Sequence, residues 1–117
     1  MYIIYLLRSS DGVGYVGRTK YLKQRLRTHR SGTQKLLISE AINSLGWDDF
    51  SIEILEHDIQ TMPEAKRREE YWILECRTLY PFGYNIKLGD RGAGSKFGYK
   101  VSASMKRSEV VSIARFL

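Results

Sequence analysis

The chain has one cysteine, Cys76, so it can close no internal disulfide and build no cysteine cage for zinc; this fits a reducing compartment such as the cytoplasm. Its two histidines, His29 and His57, stand at no ligand-like spacing, which argues against a histidine-rich zinc site. No apolar run approaches the roughly 18–20 residues of a membrane span, and no membrane partner is expected. The opening MYIIYLLRSSDG lacks the basic region and small-residue cleavage site of a signal peptide, so it reads as a strand of the mature protein. GDRGAGSKFG (89–98) lacks the full phosphate-loop pattern and its strand–loop–helix setting, and reads as a linker. There is no internal repeat. With 43% hydrophobic and 27% charged residues over 117 positions, the composition is that of one globular domain rather than a disordered chain.

Acidic residues are missing from one place in particular. From Tyr15 to Lys35 there are none, while Arg18, Lys20, Lys23, Arg25, Arg27, Arg30 and Lys35 accumulate. Residues 1–85 otherwise balance, with 12 Lys/Arg against 11 Asp/Glu. Residues 86–117 hold seven bases against two acids and so carry +5 of the net +6. One basic run alone would pass for a solvated helix face; two basic regions point to a polyanion, most simply nucleic acid.

YIIYLLR (2–8) and GYVGR (14–18) are rich in β-branched and aromatic residues and flank SSDG, the pattern of a hairpin. A two-residue Asp11-Gly12 turn would send Tyr5 and Tyr15 to opposite faces. A three-residue loop, Ser10-Asp11-Gly12 with a left-handed Gly12, puts both on one face. The sequence allows either turn. Lys20 to His29 reads as a helix with Leu22 and Leu26 on one edge and Tyr21, Arg25 and His29 as a stripe beside it. LLISEAINSLG (36–46) predicts a second helix with Leu37, Ala41 and Leu45 on its apolar side and Gly46 as its stop. FSIEILEH (50–57) alternates Phe50, Ile52 and Ile54 against polar residues, as a third strand does. Pro63 opens a long helix expected to run to Tyr80, before Pro81. Ser102 or Ser104 would cap a last short basic helix. The order β-β-α-α-β-α predicts a small α/β (α+β) domain over 1–88, an antiparallel sheet packed by helices. Residues 89–117 follow as a glycine-rich linker and basic tail.

Ala65, Trp72, Cys76 and Leu79 mark the apolar stripe of the long helix, and Glu69 falls on or beside it. A carboxylate there is costly unless it is paired or holds a metal. Two readings stand at this point: a functional carboxylate, or one that reaches a neighbouring arginine such as Arg68 or Arg25. Hydrolysis of a phosphodiester needs a group to activate water, positive charge for the transition state, and usually a divalent cation on an oxygen ligand. Tyr5, Tyr15, Arg25, His29 and Glu69 could supply these, and could equally be ordinary core. Cys76 reads as a buried structural thiol.

IIY (3–5), YVG (15–17), Arg25, His29, REEYWI around Glu69 and GYN (83–85) together resemble the GIY-YIG endonucleases in order and spacing. The resemblance implies a three-stranded antiparallel sheet flanked by helices and metal-dependent DNA cleavage, usually with Mg²⁺ or else Mn²⁺. It gives Tyr5 a part in activating the attacking water and Tyr15 the orientation of water and phosphate. Arg25 would stabilise developing charge, and His29 would hydrogen-bond the catalytic tyrosine. Glu69 would be the metal-binding carboxylate and Asn85 a supporting residue. Arg18, three residues after Tyr15, falls where some members place a basic residue near water or phosphate. Ile3 replaces the family's glycine and Val16 its isoleucine. A histidine that some homing members carry between the first two helices is missing near Thr33 and Gln34, and its role is not transferred.

Lys20, Lys23, Arg27, Arg30 and Lys35 are then expected to hold flanking phosphates, which position DNA without specifying its sequence. The tail, with Lys106 and Arg107, more loosely resembles the DNA-binding modules of phage and intron-encoded homing nucleases. The expected function is a phage or mobile-element endonuclease in the host cytoplasm, with a dimer on DNA left open. A structure-specific repair nuclease and a non-catalytic nucleic-acid-binding module are the rival readings. Whether the chain is whole or the front of a longer one is also left open.

Overall fold

The computed structural model describes residues 1–88 and the short strand Arg91–Gly92. Tyr2–Ser9 and Gly14–Thr19 form strands β1 and β2. Their register pairs Tyr5 with Gly17 and Leu7 with Tyr15, which is the three-residue loop and not the two-residue turn. The Ser9 N–H donates to Val13 O at 2.9 Å and the Gly12 N–H to Ser9 O at 2.9 Å. Gly12 adopts φ 88°, a left-handed conformation that glycine enters without a Cβ penalty. Tyr5 and Tyr15 therefore share a face.

Leu22–Ser31 forms α1, Leu37–Leu45 forms α2, and a single turn at Trp47–Asp49 leads into β3, Phe50–Ile59. Met62–Glu75 forms α3, capped by Thr61, whose hydroxyl accepts from Glu64 N at 3.3 Å. The sheet order is β2-β1-β3 and every pairing is antiparallel. Because side chains alternate along a strand, β1 feeds two cores. Ile4, Leu6 and Val16 meet Ile59, Ala65 and Ile73 on the α3 side. Tyr5 and Leu7 meet Ile38 and Ile42, with Leu22 and Leu26 packed on them, on the side of α1 and α2. Helices thus cover both faces. Among the described residues, no helix is long and apolar enough to cross a membrane.

Three expectations need correction. The inward face of α2 is Ile38, Ser39 and Ile42, one residue round from the predicted stripe, and Leu45 is left 46% exposed. The branched isoleucines fill the space over Tyr5 and Leu7. Ile52 and Ile54 lie opposite Leu7 and Tyr5 but remain 43% and 49% exposed on the outer strand of the sheet. The third helix ends five residues before Tyr80. Arg77 takes φ 54°, its N–H bonds Leu74 O, and the Thr78 N–H bonds Ile73 O at 3.0 Å. This is a Schellman-type stop with arginine where glycine is usual.

From Thr78 the chain folds back along β2. Asn85 N donates to Thr78 O at 2.8 Å and Tyr84 N to Gly14 O at 2.8 Å. Lys87–Leu88 (β4) then pairs antiparallel with Arg91–Gly92 (β5), so the second strand of the pair lies inside the segment read as a linker. The predicted tail helix, with Lys106 and Arg107, lies outside the described residues.

Candidate active site

β2 is an edge strand, so side chains from both faces of the sheet meet around it. Tyr15 comes from the α1 side and Arg18 from the α3 side. Along this edge runs a cleft of about 470 Å³, walled by Tyr2, Tyr15, Arg18, Arg25, Glu69, Tyr84 and Lys87 among others. Of the predicted residues, Tyr15, Arg18, Arg25, Glu69 and Asn85 line it, and Tyr5 and His29 lie behind Arg25 and Tyr15.

Tyr5 and His29 form the buried floor, each 0% exposed. Tyr5 Oη and His29 Nε2 are 2.8 Å apart, and Arg25 Nε donates to Tyr5 Oη at 3.2 Å. The His29 and Tyr15 rings meet edge-on with centroids 5.4 Å apart. His29 Nδ1 is buried with no hydrogen-bond partner among the described residues. An orphan buried N–H costs more than an orphan lone pair, which favours the tautomer with the proton on Nε2. In that form two donors, Nε2–H and Arg25 Nε–H, converge on one phenol oxygen. Burial, then Arg25, pulls the His29 pKa down to about 4, so the ring is neutral near pH 7.

Burial, and next the neighbouring Tyr15, push the Tyr5 hydroxyl above its ordinary value against the opposing pull of Arg25. Burial raises Tyr15 as well. Both are phenols in this state. For Arg25, burial works against the charge, but the two tyrosine oxygens outweigh it and hold the guanidinium cationic. Close approach of the floor to β2 requires Gly17. A Cβ there would lie 2.5 Å from Tyr5 Cζ and closer still to the hydroxyl. The glycine of YVG is a space requirement set by the tyrosine opposite it.

Glu69 stands on α3 between Ala65 and Ile73 and is 8% exposed. The arginine it reaches is Arg18, from β2. Its Oε1 accepts from Arg18 Nη1 at 2.6 Å. Arg68 is engaged by Glu56, which also accepts from Trp72 Nε1 at 2.8 Å. Asn85 is 7% exposed and ties β2 to the returning chain. Its Oδ1 accepts from Val16 N at 2.8 Å and Thr78 Oγ1 at 2.7 Å, and its Nδ2 donates to Val16 O at 2.8 Å. Asn85 thereby fixes the strand that carries Tyr15, Gly17 and Arg18.

The basic residues divide. Lys20 lies over the Tyr2 ring at 5.0 Å, and Lys87, not predicted as a site residue, lines the cleft itself. Lys23 and Arg27 are each two positions from Arg25, about 200° round the helix, so they point away from the cleft. With Arg30 they sit beside Leu26, Trp47 and Ile52 on the outer face. Lys35 is exposed and does not line the cleft. Sequence reasoning also missed Thr78 and Gly17, and the pairing of Arg18 with Glu69. Cys76 is half-buried beside the α3 core, where burial raises its thiol pKa.

No group of three or more His, Cys, Asp or Glu side chains suited to a metal occurs among the described residues. A metal held here would have Glu69 as its carboxylate and complete its shell with water and substrate oxygens. That suits Mg²⁺, which dehydrates reluctantly and commonly uses one or two carboxylates.

One carboxylate, two tyrosines, a neutral imidazole and two guanidiniums around an open cleft are the equipment of a hydrolase acting on a phosphate ester. Residues 1–85 match the GIY-YIG catalytic domain, and the chain belongs to the GIY-YIG family of endonucleases. Its structure is similar to a mutant of the catalytic domain of intron endonuclease I-TevI, with TM-score 0.66 and 25% identity over 79% of this chain and 100% of that one. A second structure of the I-TevI homing endonuclease catalytic domain gives TM-score 0.64 and 25% identity over 74% and 99%. The comparison with curated proteins gives no significant match.

Proposed function

We propose that the chain is a divalent-metal-dependent DNA endonuclease of the homing type, encoded by a phage or other mobile element and acting in the host cytoplasm, with Mg²⁺ or Mn²⁺ on Glu69. The observation that carries this reading is the placement of Glu69. A carboxylate on the core-facing stripe of α3 opens into the same cleft as Tyr15 and Arg25.

When bound, the cation supplies positive charge to the scissile phosphate and makes water easier to deprotonate. Tyr15, on the cleft wall, orients water and a phosphate oxygen. Tyr5 works from behind, closed to bulk solvent, with the two donors on its oxygen favouring the phenolate whenever the proton leaves. Arg25 stays charged and meets the charge that develops on the phosphate. His29 holds Tyr5 in place and stays neutral above about pH 4. Lys20 and Lys87 hold the strand at the cleft, and Lys23, Arg27 and Arg30 meet more distant phosphates along the outer face of α1. A single site makes one cut per encounter, so cleavage of both strands requires a second chain or a second event.

The test is nicking of supercoiled plasmid in Mg²⁺ or EDTA by wild type, Glu69→Gln and Tyr5→Phe, with DNA retention measured for each. Cleavage in Mg²⁺ that each substitution lowers by about 10²-fold or more, with retention kept, supports the proposal. Retention without cleavage on linear, branched and flapped DNAs points to a binding module. Cleavage of branched DNA alone points to a repair nuclease.

A further inference from the structure

The carboxylate read above as the metal ligand already holds a cation. Arg18 Nη1 bonds Glu69 Oε1 at 2.6 Å, and the two side chains are only 19% and 10% exposed. Glu69 is fixed on α3 between buried Ala65 and Ile73. Arg18 extends a long side chain from the penultimate position of edge strand β2 into the cleft. Arg25 is not equivalent, because both tyrosine hydroxyls engage its guanidinium.

Charge makes the pairing consequential. Among the described residues the cleft is lined by three cations, Arg18, Arg25 and Lys87, and by one anion, Glu69. A dication on Glu69 beside an unmoved guanidinium would bind more weakly, because the two positive charges repel at short range in a medium less polar than water. A phosphodiester brings one negative charge and two oxygens that match the arginine fork.

We propose that Arg18 is a phosphate-operated latch on the metal site. It occupies Glu69 while the cleft is empty and transfers to a phosphodiester of bound DNA, so the metal and the DNA bind together. Arg18 is in this sense a positioning residue for the metal, and the proposal rests on Glu69 being the metal carboxylate. By linkage, the factor by which DNA tightens the metal equals the factor by which the metal tightens DNA.

The test uses Mn²⁺ alone as the probe, titrated by electron paramagnetic resonance at pH 8 without DNA. The proteins are wild type, Arg18→Gln, Arg18→Met, Arg18→Lys and Glu69→Gln, each checked for a cooperative melt. Either neutral variant of Arg18 is expected to bind Mn²⁺ about tenfold or more tighter than wild type, because the competing cation is gone. Arg18→Lys, which keeps the charge, stays as weak as wild type. The reciprocal arm is DNA retention in Ca²⁺ against EDTA, where the gain from metal in wild type shrinks in Arg18→Gln. Equal or weaker Mn²⁺ binding in both folded neutral variants overturns the latch while Glu69 remains the ligand. Undiminished Mn²⁺ binding in Glu69→Gln overturns the latch and the metal reading together.

Discussion

Gly17→Ala separates a space requirement from a backbone requirement. Gly17 does not have positive φ, so alanine is compatible with its backbone. On backbone entropy alone the change would stabilise the fold by about 0.4–1 kcal/mol. The structure predicts the opposite sign. The new methyl would lie 2.5 Å from Tyr5 Cζ and 2.9 Å from Cε1. Tyr5 is fully buried and held through its oxygen by His29 and Arg25, so it cannot swing aside cheaply. Overpacking of this kind costs about 1–3 kcal/mol, and displacing the ring forfeits hydrogen bonds worth about 1 kcal/mol each. A net loss of about 3 kcal/mol is expected, which lowers the melting temperature of a domain this size by roughly 15 °C. The assay is urea and thermal unfolding followed by circular dichroism, repeated in a Tyr5→Ala background where the obstruction is absent. There the same substitution should cost less than about 0.5 kcal/mol. A wild-type-background change of less than about 0.5 kcal/mol, or an equal loss in both backgrounds, would refute the steric account of the motif glycine.

Asn85→Ala removes three buried hydrogen bonds and strands the Val16 amide and carbonyl, so urea unfolding should show a loss of about 3 kcal/mol with cleavage falling in parallel. His29 is held neutral in the fold with a pKa of about 4 against 6.5 when unfolded. The unfolded chain therefore binds the extra proton first as pH falls. Stability from this group is full above about pH 6.5, declines by up to about 3 kcal/mol towards pH 4, and levels below it; the step should vanish in His29→Asn. In DNA retention, Lys87→Ala should weaken binding and reduce the salt slope by about 1 for the lost phosphate contact. Arg27→Ala, on the far side of α1, should change retention of short duplexes less than Lys87→Ala does.

Elements whose signals are local were legible in the sequence. The alternation of YIIYLLR and GYVGR, Asp before Gly, and the proline and threonine at the start of α3 each act within a few residues. The hairpin register was legible only on condition that Tyr5 and Tyr15 cooperate, since Ser-Asp-Gly suits both turns. The end of α3 was not legible, because its left-handed stop is Arg77 and no glycine marks it. The exposure of Ile52 and Ile54 was not legible either, since alternation shows which face a residue takes but not how far the helices reach across it. Within the site, the residues at one-turn spacing, Arg25 and His29, could be paired from sequence. The pairing of Arg18 with Glu69 and the bonds from Asn85 to Val16 span 51 and 69 positions and depend on tertiary geometry alone.

The site divides by burial, and the division has consequences for how it fails. Tyr5, His29 and Asn85 are part of the core as well as of the chemistry, so their substitution removes stability and activity together. Arg18 and Glu69 sit at the open side and oppose each other's charge. Glu69→Gln removes a negative charge from a cleft lined by Arg18, Arg25 and Lys87, and a net gain in binding of a bare phosphate ester should accompany the loss of cleavage. On the proposed latch, a cleft whose described lining sets one carboxylate among three cations holds an anion before it holds a metal. The dication is then admitted by the charge the substrate brings, and a protein built this way cuts only where DNA is already seated.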